Sequence, residues 1–304
     1  MSVVGFDTSN YTTSIAYYDG VDGVNCSQLL PVKPGELGLR QSDAVFHHTK
    51  SLPELSGRLF SHVQGDIEAV GVSTRPRAVE GSYMPCFMVG YSHAKMLSDA
   101  YRVPLFEVSH QQGHVAASLW SADRLDLMDV PHLAWHLSGG TTELLLVEPE
   151  GKNVKCSRIG GTTDISAGQL IDRTGVMLGL PFPAGKHLDV LSGEAQSREV
   201  FKVKCPEMEF SLSGVQNKVQ QFHKGDNAET AAYALRCVAF AVRKATENAL
   251  KAYPGLEVVF SGGVASNSML RQLTADLNPI YCAPQYSTDN AMGVAVLTKR
   301  LLEA

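Results

Sequence analysis

Two histidines four residues apart, His110 and His114, carry the sharpest chemical signal in the chain, within Val108-Ser109-His110-Gln111-Gln112-Gly113-His114. On a helix, positions i and i+4 share a face one turn apart, so two imidazoles at this spacing can grip one divalent metal ion. The same spacing also occurs on an ordinary half-buried helix face, and no third ligand lies nearby in sequence. A zinc peptidase would place a glutamate after the first histidine as general base. Here that residue is Gln111, whose amide cannot take the proton. A carboxylate ligand is offered by Asp289, in Ser287-Thr288-Asp289-Asn290, which reads equally as the N-cap of the last helix. Asp7, in the first polar turn, is left to orient a water or a magnesium ion.

Anion chemistry is suggested by glycine-rich turns. Ser138-Gly139-Gly140-Thr141 joins two strands, and Ser261-Gly262-Gly263 joins a strand to a helix. Backbone N–H groups in such turns form concavities that hold phosphate, and a following helix N-terminus adds a favourable dipole. Either turn alone is also an ordinary tight bend. Together, in an α/β chain, they suggest a nucleotide. No P-loop and no dinucleotide-binding glycine fingerprint follows a strand, so those two nucleotide classes are disfavoured.

The elements that must position these groups follow from pattern. Val3–Phe6 and Ser14–Tyr18 read as two strands around a hydroxyl-rich turn, and His132–Leu137 and Glu143–Val147 repeat that plan. The repetition predicts a duplicated fold with two similar lobes. Between the hairpins, Gly20 to Gly38 reads as loop, Ser51 to His62 and Gly90 to Tyr101 as helices, and Glu68–Ser73 as a buried strand. Helices are expected over Ile165–Leu178, from Val215, over Thr230–Tyr253 and from about Asp289 to Leu302, with a strand at Leu256–Phe260. Strands alternating with helices give a mixed α/β class. His47, His48 and Arg58, in Gln41 to Phe60, read as solvent-facing polar residues, with a place at the mouth of the substrate site as the alternative.

Bulk properties bound the rest. At 304 residues, with 44% hydrophobic and 19% charged residues, the chain is long enough for two globular domains. No apolar run approaches the roughly 20 residues that span a bilayer. The start of the chain lacks signal-peptide features, so the cytoplasm is the expected compartment and no membrane partner is expected. Six scattered cysteines with no Cys-x-x-Cys pair argue for free thiols. A net charge of −5 excludes nucleic-acid binding through bulk charge; an RNA partner would need a local basic patch or another subunit.

The ordered segments together resemble the TsaD family, the transferases that make threonylcarbamoyladenosine in transfer RNA. The resemblance rests on Val108–His114, Leu137–Thr141, Ala167–Asp172, Leu180–Gly185, Phe210–Gly214, Ser261–Asn267 and Thr288–Asn290. It implies an actin-like, Hsp70-like two-lobed fold with duplicated ribonuclease H-like domains. The lobes would span 1–108 and 109–304, with the final helix from about 289 returning to the interlobe cleft. It places His110, His114 and Asp289 on one metal ion per subunit, iron or zinc. Contacts to adenine nucleotide or threonylcarbamoyl-AMP fall to Leu137, Ser138, Gly139, Gly140, Thr141, Asp172, Gly185, Asp189 and Asn267. The implied reaction moves a threonylcarbamoyl group to N6 of an adenosine beside the anticodon of tRNAs reading codons that start with A. The implied partners are tRNA, an actin-like paralogue and a small ATPase. No general base is named.

Three positions depart from the family pattern. Thr141 stands where the second turn has a histidine, Ser9-Asn10-Tyr11-Thr12-Thr13 lacks both acids of the family's Ser-Cys-Asp-Glu-Thr opening turn, and Asp164-Ile165 stands for a pair of aspartates. They motivate a second reading, an actin-like scaffold that binds nucleotide and a paralogous subunit without catalysis. A sugar or acetate kinase of the same fold is weaker, because it gains nothing from a histidine pair.

Overall fold

The computed structural model describes residues 2–31, 39–63, 65–286 and 289–304. The chain divides into two compact units, 1–130 with 148–156 and 289–304, and 131–147 with 157–288. The break expected after residue 108 falls inside the first unit, because the helix that begins at His110 packs against the final helix and the strands preceding it.

In the first unit, β1 (Ser2–Thr8), β2 (Thr12–Tyr18), β3 (Gly23–Leu29), β4 (Ile67–Arg75) and β5 (Leu105–Ser109) form one sheet in the order β3-β2-β1-β4-β5. β1 and β2 pair antiparallel with Phe6 opposite Ile15, while β1, β4 and β5 run parallel. β3 corrects the reading of 20–38 as loop: Val24 and Cys26 alternate with polar residues and complete the pairing with β2. Residues 32–38 of that stretch lie outside the described ones.

Helix α1 (Gln41–Phe60) starts ten residues earlier than its apolar spacing suggests, since its first half is polar. Leu52, Leu55 and Leu59 form its buried face and join Val4, Phe6, Val70 and Val72 in the core. Helices α2 (Phe87–Tyr101) and α3 (His110–Ser121) complete this part of the unit.

The second unit repeats the plan. It holds β6 (His132–Leu137), β7 (Thr142–Glu150), β8 (Asn153–Thr162), β9 (Glu209–Phe210), β10 (Val258–Ser261) and β11 (Ile280–Tyr281), ordered β11-β10-β6-β7-β8-β9. The run β8-β7-β6-β10-β11 matches β3-β2-β1-β4-β5 strand for strand, so the duplication extends well beyond the two hairpins. Its helices are α4 (Ala167–Met177), α5 (Gly185–Ser192), α6 (Ser213–Phe222), α7 (Asn227–Ala252) and α8 (Ser268–Thr274). α7 is alanine-rich on its buried face and packs with Trp135, Phe210 and Phe260.

The last helix, α9 (Met292–Leu302), returns to the first unit and lies on β1, β2, β4 and α3. Glycine makes that docking possible. A Cβ on Gly5 would stand 2.6 Å from the Ala295 nitrogen, and one on Gly293 1.8 Å from the Gly113 oxygen. Val294, Val296 and Leu297 are fully buried there, worth roughly 1.5–3 kcal/mol each. This docking brings the tail of the chain beside the middle.

Candidate functional site

The helix that carries the histidines has a fixed start. Ser109 is its N-cap: its hydroxyl accepts the Gln112 N–H, and the Gln112 side-chain oxygen accepts the Ser109 N–H at 2.8 Å, a reciprocal capping box. Gln112 Nε2 also donates to the Val154 carbonyl at 2.7 Å, which ties the start of α3 to the β7–β8 hairpin. His110 is therefore the first helical residue and His114 lies one turn on, with the two Nε2 atoms 2.9 Å apart.

Asp289 precedes α9, whose N-cap is Ala291, so the capping role open to it in sequence is not the one it has. Its neighbours Ser287 and Thr288 lie outside the described residues. The stretch is held by Asn25, whose Oδ1 accepts the Ala291 N–H at 3.0 Å. Asp289 Oδ1 lies 3.2 Å from His114 Nε2 and 3.5 Å from His110 Nε2. All three ligand atoms fall within 4.8 Å of one another.

A tetrahedral zinc with nitrogen and oxygen ligands at about 2.0–2.1 Å keeps its donors about 3.3 Å apart, so these residues fit a metal after sub-ångström spreading of the imidazoles. Two imidazoles and one carboxylate suit zinc or iron and leave a coordination position free. Electrostatics agrees. Burial pulls the His110 imidazolium down, but the Asp7 charge and hydrogen bonds to Asp289 and Asp7 outweigh it and hold it up at about 10. Burial likewise opposes the Asp289 carboxylate, yet both histidines hold it well below the usual range. The cluster attracts positive charge.

Asp7 has a different place from the one expected. It is buried in β1 and accepts the His110 Nδ1–H at 2.7 Å instead of facing a water or magnesium. Ser9, which sequence reasoning passed over, donates its N–H to Asp7 and its hydroxyl to Asp289. His48 also departs from expectation: it is fully buried and hydrogen-bonded to Thr13 at 2.8 Å. Burial pushes it down to about 4, against the Ser9 backbone and the Asp7 charge. In the same opening turn, Asn10 accepts a hydrogen bond from Gln41, an amide tether between the turn and α1.

In the second unit, the two glycine-rich turns leave the ends of adjacent parallel strands, β6 and β10, with His136 opposite Ser261. A Cβ on Gly262, at φ +91°, would meet the Leu137 oxygen at 2.1 Å, so the turns touch. Leu137 is fully buried and contributes backbone only, while Gly139 and Gly140 are exposed. The Ser138 hydroxyl accepts the Thr141 N–H, and Ser166 Oγ donates to the Gly139 carbonyl at 2.6 Å.

The acidic candidates here already hold partners. Asp189 accepts from Asn267 Nδ2 at 2.8 Å and from Ser268 Oγ at 2.7 Å, and Asn267 caps α8. Asp172 accepts the Ala184 N–H beside Gly185, and burial raises its carboxyl despite that bond. Asp164 caps α6 from outside the helix, accepting from Ser211, Ser213 and the Leu212 N–H. Its partial burial is outweighed by these donors, which bring it to about 2. Ile165 packs against the second core, which accounts for an apolar side chain there.

Comparison with known proteins agrees with this architecture. Residues 36–296 match the family model for TsaD, tRNA N6-adenosine threonylcarbamoyltransferase. Curated relatives bearing that name include one from Sulfurihydrogenibium sp., 32% identical over 97% of this chain and 89% of its own length. Another, from Streptococcus suis, is 34% identical over 71% of this chain, and the match spans only 64% of that relative's length. Among solved structures, T. kodakarensis HypF superposes with a TM-score of 0.66 at 13% identity, over 99% of this chain and 47% of that one. Component A of Acidaminococcus fermentans (R)-2-hydroxyglutaryl-CoA dehydratase gives 0.59 at 16%, over the whole of both chains. These likenesses carry the actin-like, duplicated α/β fold. No described helix is long and apolar enough to cross a membrane. With most of its length matched by the family model and by relatives above 30% identity, the chain belongs to the TsaD family of tRNA N6-adenosine threonylcarbamoyltransferases.

Proposed function

We propose that the chain is a metal-dependent acyltransferase that moves the threonylcarbamoyl group from threonylcarbamoyl-AMP to N6 of an adenosine beside the anticodon, in tRNAs reading codons that start with A. The observation that carries this reading is the convergence of His110 Nε2, His114 Nε2 and Asp289 Oδ1. His110, His114 and Asp289 would hold a zinc or iron ion, which would supply Lewis-acid polarisation of the carbamoyl carbonyl. The N6 amine attacks that carbonyl carbon. The new C–N bond forms as the bond to the adenylate phosphate oxygen breaks, AMP leaves, and the amine proton goes to solvent or the departing phosphate.

The remaining assignments follow from position. The exposed Gly139 and Gly140 backbone, with Ser138 and Thr141 fixing the turn, suits the adenylate phosphate. Asp172, Gly185, Asp189 and Asn267 suit the nucleoside, with Asp189 and Asn267 exchanging their mutual hydrogen bond for the ligand. The acceptor base reaches the site unstacked, as bases in RNA loops can. With a net charge of −5, a local basic patch or another subunit must supply the attraction for tRNA, and the family resemblance implies an actin-like paralogue and a small ATPase as partners. The cytoplasm is the compartment this substrate implies.

Thr141 and the Asn10–Gln41 tether favour the second reading, a nucleotide-binding scaffold without catalysis. One experiment separates the two. Purified protein is incubated with threonylcarbamoyl-AMP and unmodified tRNA, and nucleosides are analysed by mass spectrometry. Modified adenosine and AMP are expected from the wild type, with a loss of at least about a thousandfold in His114→Ala. Tight AMP binding without product in either case favours the scaffold.

A further inference from the structure

A buried carboxylate in the middle of a sheet calls for an explanation, because ionised side chains are rarely buried without a specific partner. Asp7 is 1% exposed, on the central strand β1. Both of its oxygens are engaged. Oδ2 accepts the His110 Nδ1–H at 2.7 Å and the Ser73 hydroxyl at 2.8 Å, and Oδ1 accepts the Ser9 N–H at 3.0 Å. Ser9 then donates its hydroxyl to Asp289 Oδ2 at 3.1 Å, on the oxygen opposite the one that faces the histidines.

We infer that Asp7, held by Ser73 and Ser9, is a positioning residue that orients His110 for a divalent cation, and that Ser9 extends the same control to Asp289. The inference rests on the metal reading above and deepens it. An imidazole has two nitrogens, and the partner of one decides what the other offers. With Nδ1–H given to Asp7, Nε2, the atom that faces His114 and Asp289, is the nitrogen that would give up its proton to take a metal ion. The carboxylate also fixes the ring plane and raises the basicity of the ligating nitrogen.

Two of the three candidate ligands, His110 and Asp289, are thus set by one five-residue neighbourhood, Asp7 to Tyr11, in the turn where this chain departs from its family's acids. The third, His114, is set by the capped helix. The departure leaves the orienting carboxylate in place and changes only the residues beyond it. Ser73 comes from β4 and holds Asp7 from the far side, so the carboxylate is fixed by two neighbouring segments of one sheet and turn.

The test uses the full chain and cobalt(II) or zinc(II) in competition with a chelator of known affinity. Wild type is expected to bind one ion, and His114→Ala none. Asp7→Asn is expected to raise the dissociation constant about 10–100-fold and to shift the visible absorption bands of the cobalt form. Ser73→Ala, which keeps the carboxylate but removes one of the two donors to Oδ2, is expected to cost about threefold. Thermal unfolding of the metal-free proteins is measured in parallel, since a purely structural Asp7–His110 pair would change that and leave the affinity alone.

A wild type that binds neither ion overturns the metal reading and this inference together. Binding that is lost in His114→Ala but unchanged in Asp7→Asn, with unchanged cobalt bands, overturns this inference alone. Should Asp7→Asn fail to fold, Ser73→Ala decides, and an affinity equal to wild type there overturns it.

Discussion

In the first unit, three ligand atoms from two distant segments face one another across 2.9–3.5 Å, each side chain held from behind by a hydrogen bond or a helix cap. In the second unit, the carboxylates expected to meet a ligand are instead bonded to the chain itself, Asp189 to Asn267 and Ser268, Asp172 to the Ala184 N–H. The contrast reflects chemistry. A cation is bound by donors that would repel or compete if left alone, so their supports must hold them together. A nucleoside is bound by donors and acceptors that can satisfy each other until the ligand arrives, at the cost of exchanging one hydrogen bond for another.

The largest way to break this comparison is through the helix crossing beneath the first cluster. A Cβ on Gly293 would stand 1.8 Å from the Gly113 oxygen and 2.8 Å from the Ala117 nitrogen, so α9 must move away from α3. Gly293→Ala is expected to cost at least about 3 kcal/mol in urea unfolding and to weaken cobalt binding, since Asp289 and His114 ride on the two displaced elements. Full stability with unchanged metal affinity would show that the cluster does not depend on this packing.

The histidine pair was legible because i, i+4 spacing is a local property of one helix. Asp289 was legible as an acid of interest but ambiguous, since a residue three before a helix resembles an N-cap until Ala291 is seen to take that position. Asp7 was misread because its role depends on a partner over a hundred residues away. The strand order of both sheets could be anticipated only as a repeated hairpin. β3 and β8 were missed because each mixes polar and apolar residues in a weak alternation. α1 was cut short because helix-face spacing fails where the first turns are polar. His48 looked solvent-facing for the same reason, and only the packing of α1 against β2 buries it.

That burial gives a pH signature specific to the first unit. His48 is neutral when folded, with its pKa pushed down to about 4, whereas an unfolded histidine titrates near 6.5. As pH falls below about 6.5, the unfolded chain takes up the proton first, so stability drops, and the loss is complete once pH passes below 4. This group alone is expected to remove about 2 kcal/mol by pH 5. Unfolding free energies measured from pH 7.5 to 5 should show that slope in wild type and a flatter profile in His48→Gln. Parallel profiles would mean that burial does not shift the titration of His48 between the folded and unfolded chains.

The smallest effect sharpens the comparison from the other side. Gly168, near the start of α4, lies against the second hairpin: a Cβ there would stand 2.4 Å from the Gly139 Cα and 2.5 Å from the Ser138 oxygen. Alanine favours a helix by about 1 kcal/mol over glycine, which offsets only part of the strain of meeting backbone atoms, so Gly168→Ala is expected to lower stability by about 1 kcal/mol. The backbone of Ser138 to Thr141 must give way, and that turn is the part proposed to meet the adenylate phosphate. AMP or ATP binding, measured by calorimetry, is expected to weaken about tenfold, or about 1.4 kcal/mol, while cobalt affinity stays at the wild-type value. A variant that loses metal and keeps nucleotide would reverse the assignment of the two clusters. One that loses both would show that they are coupled, and that the division of labour drawn from their hydrogen bonding is too sharp.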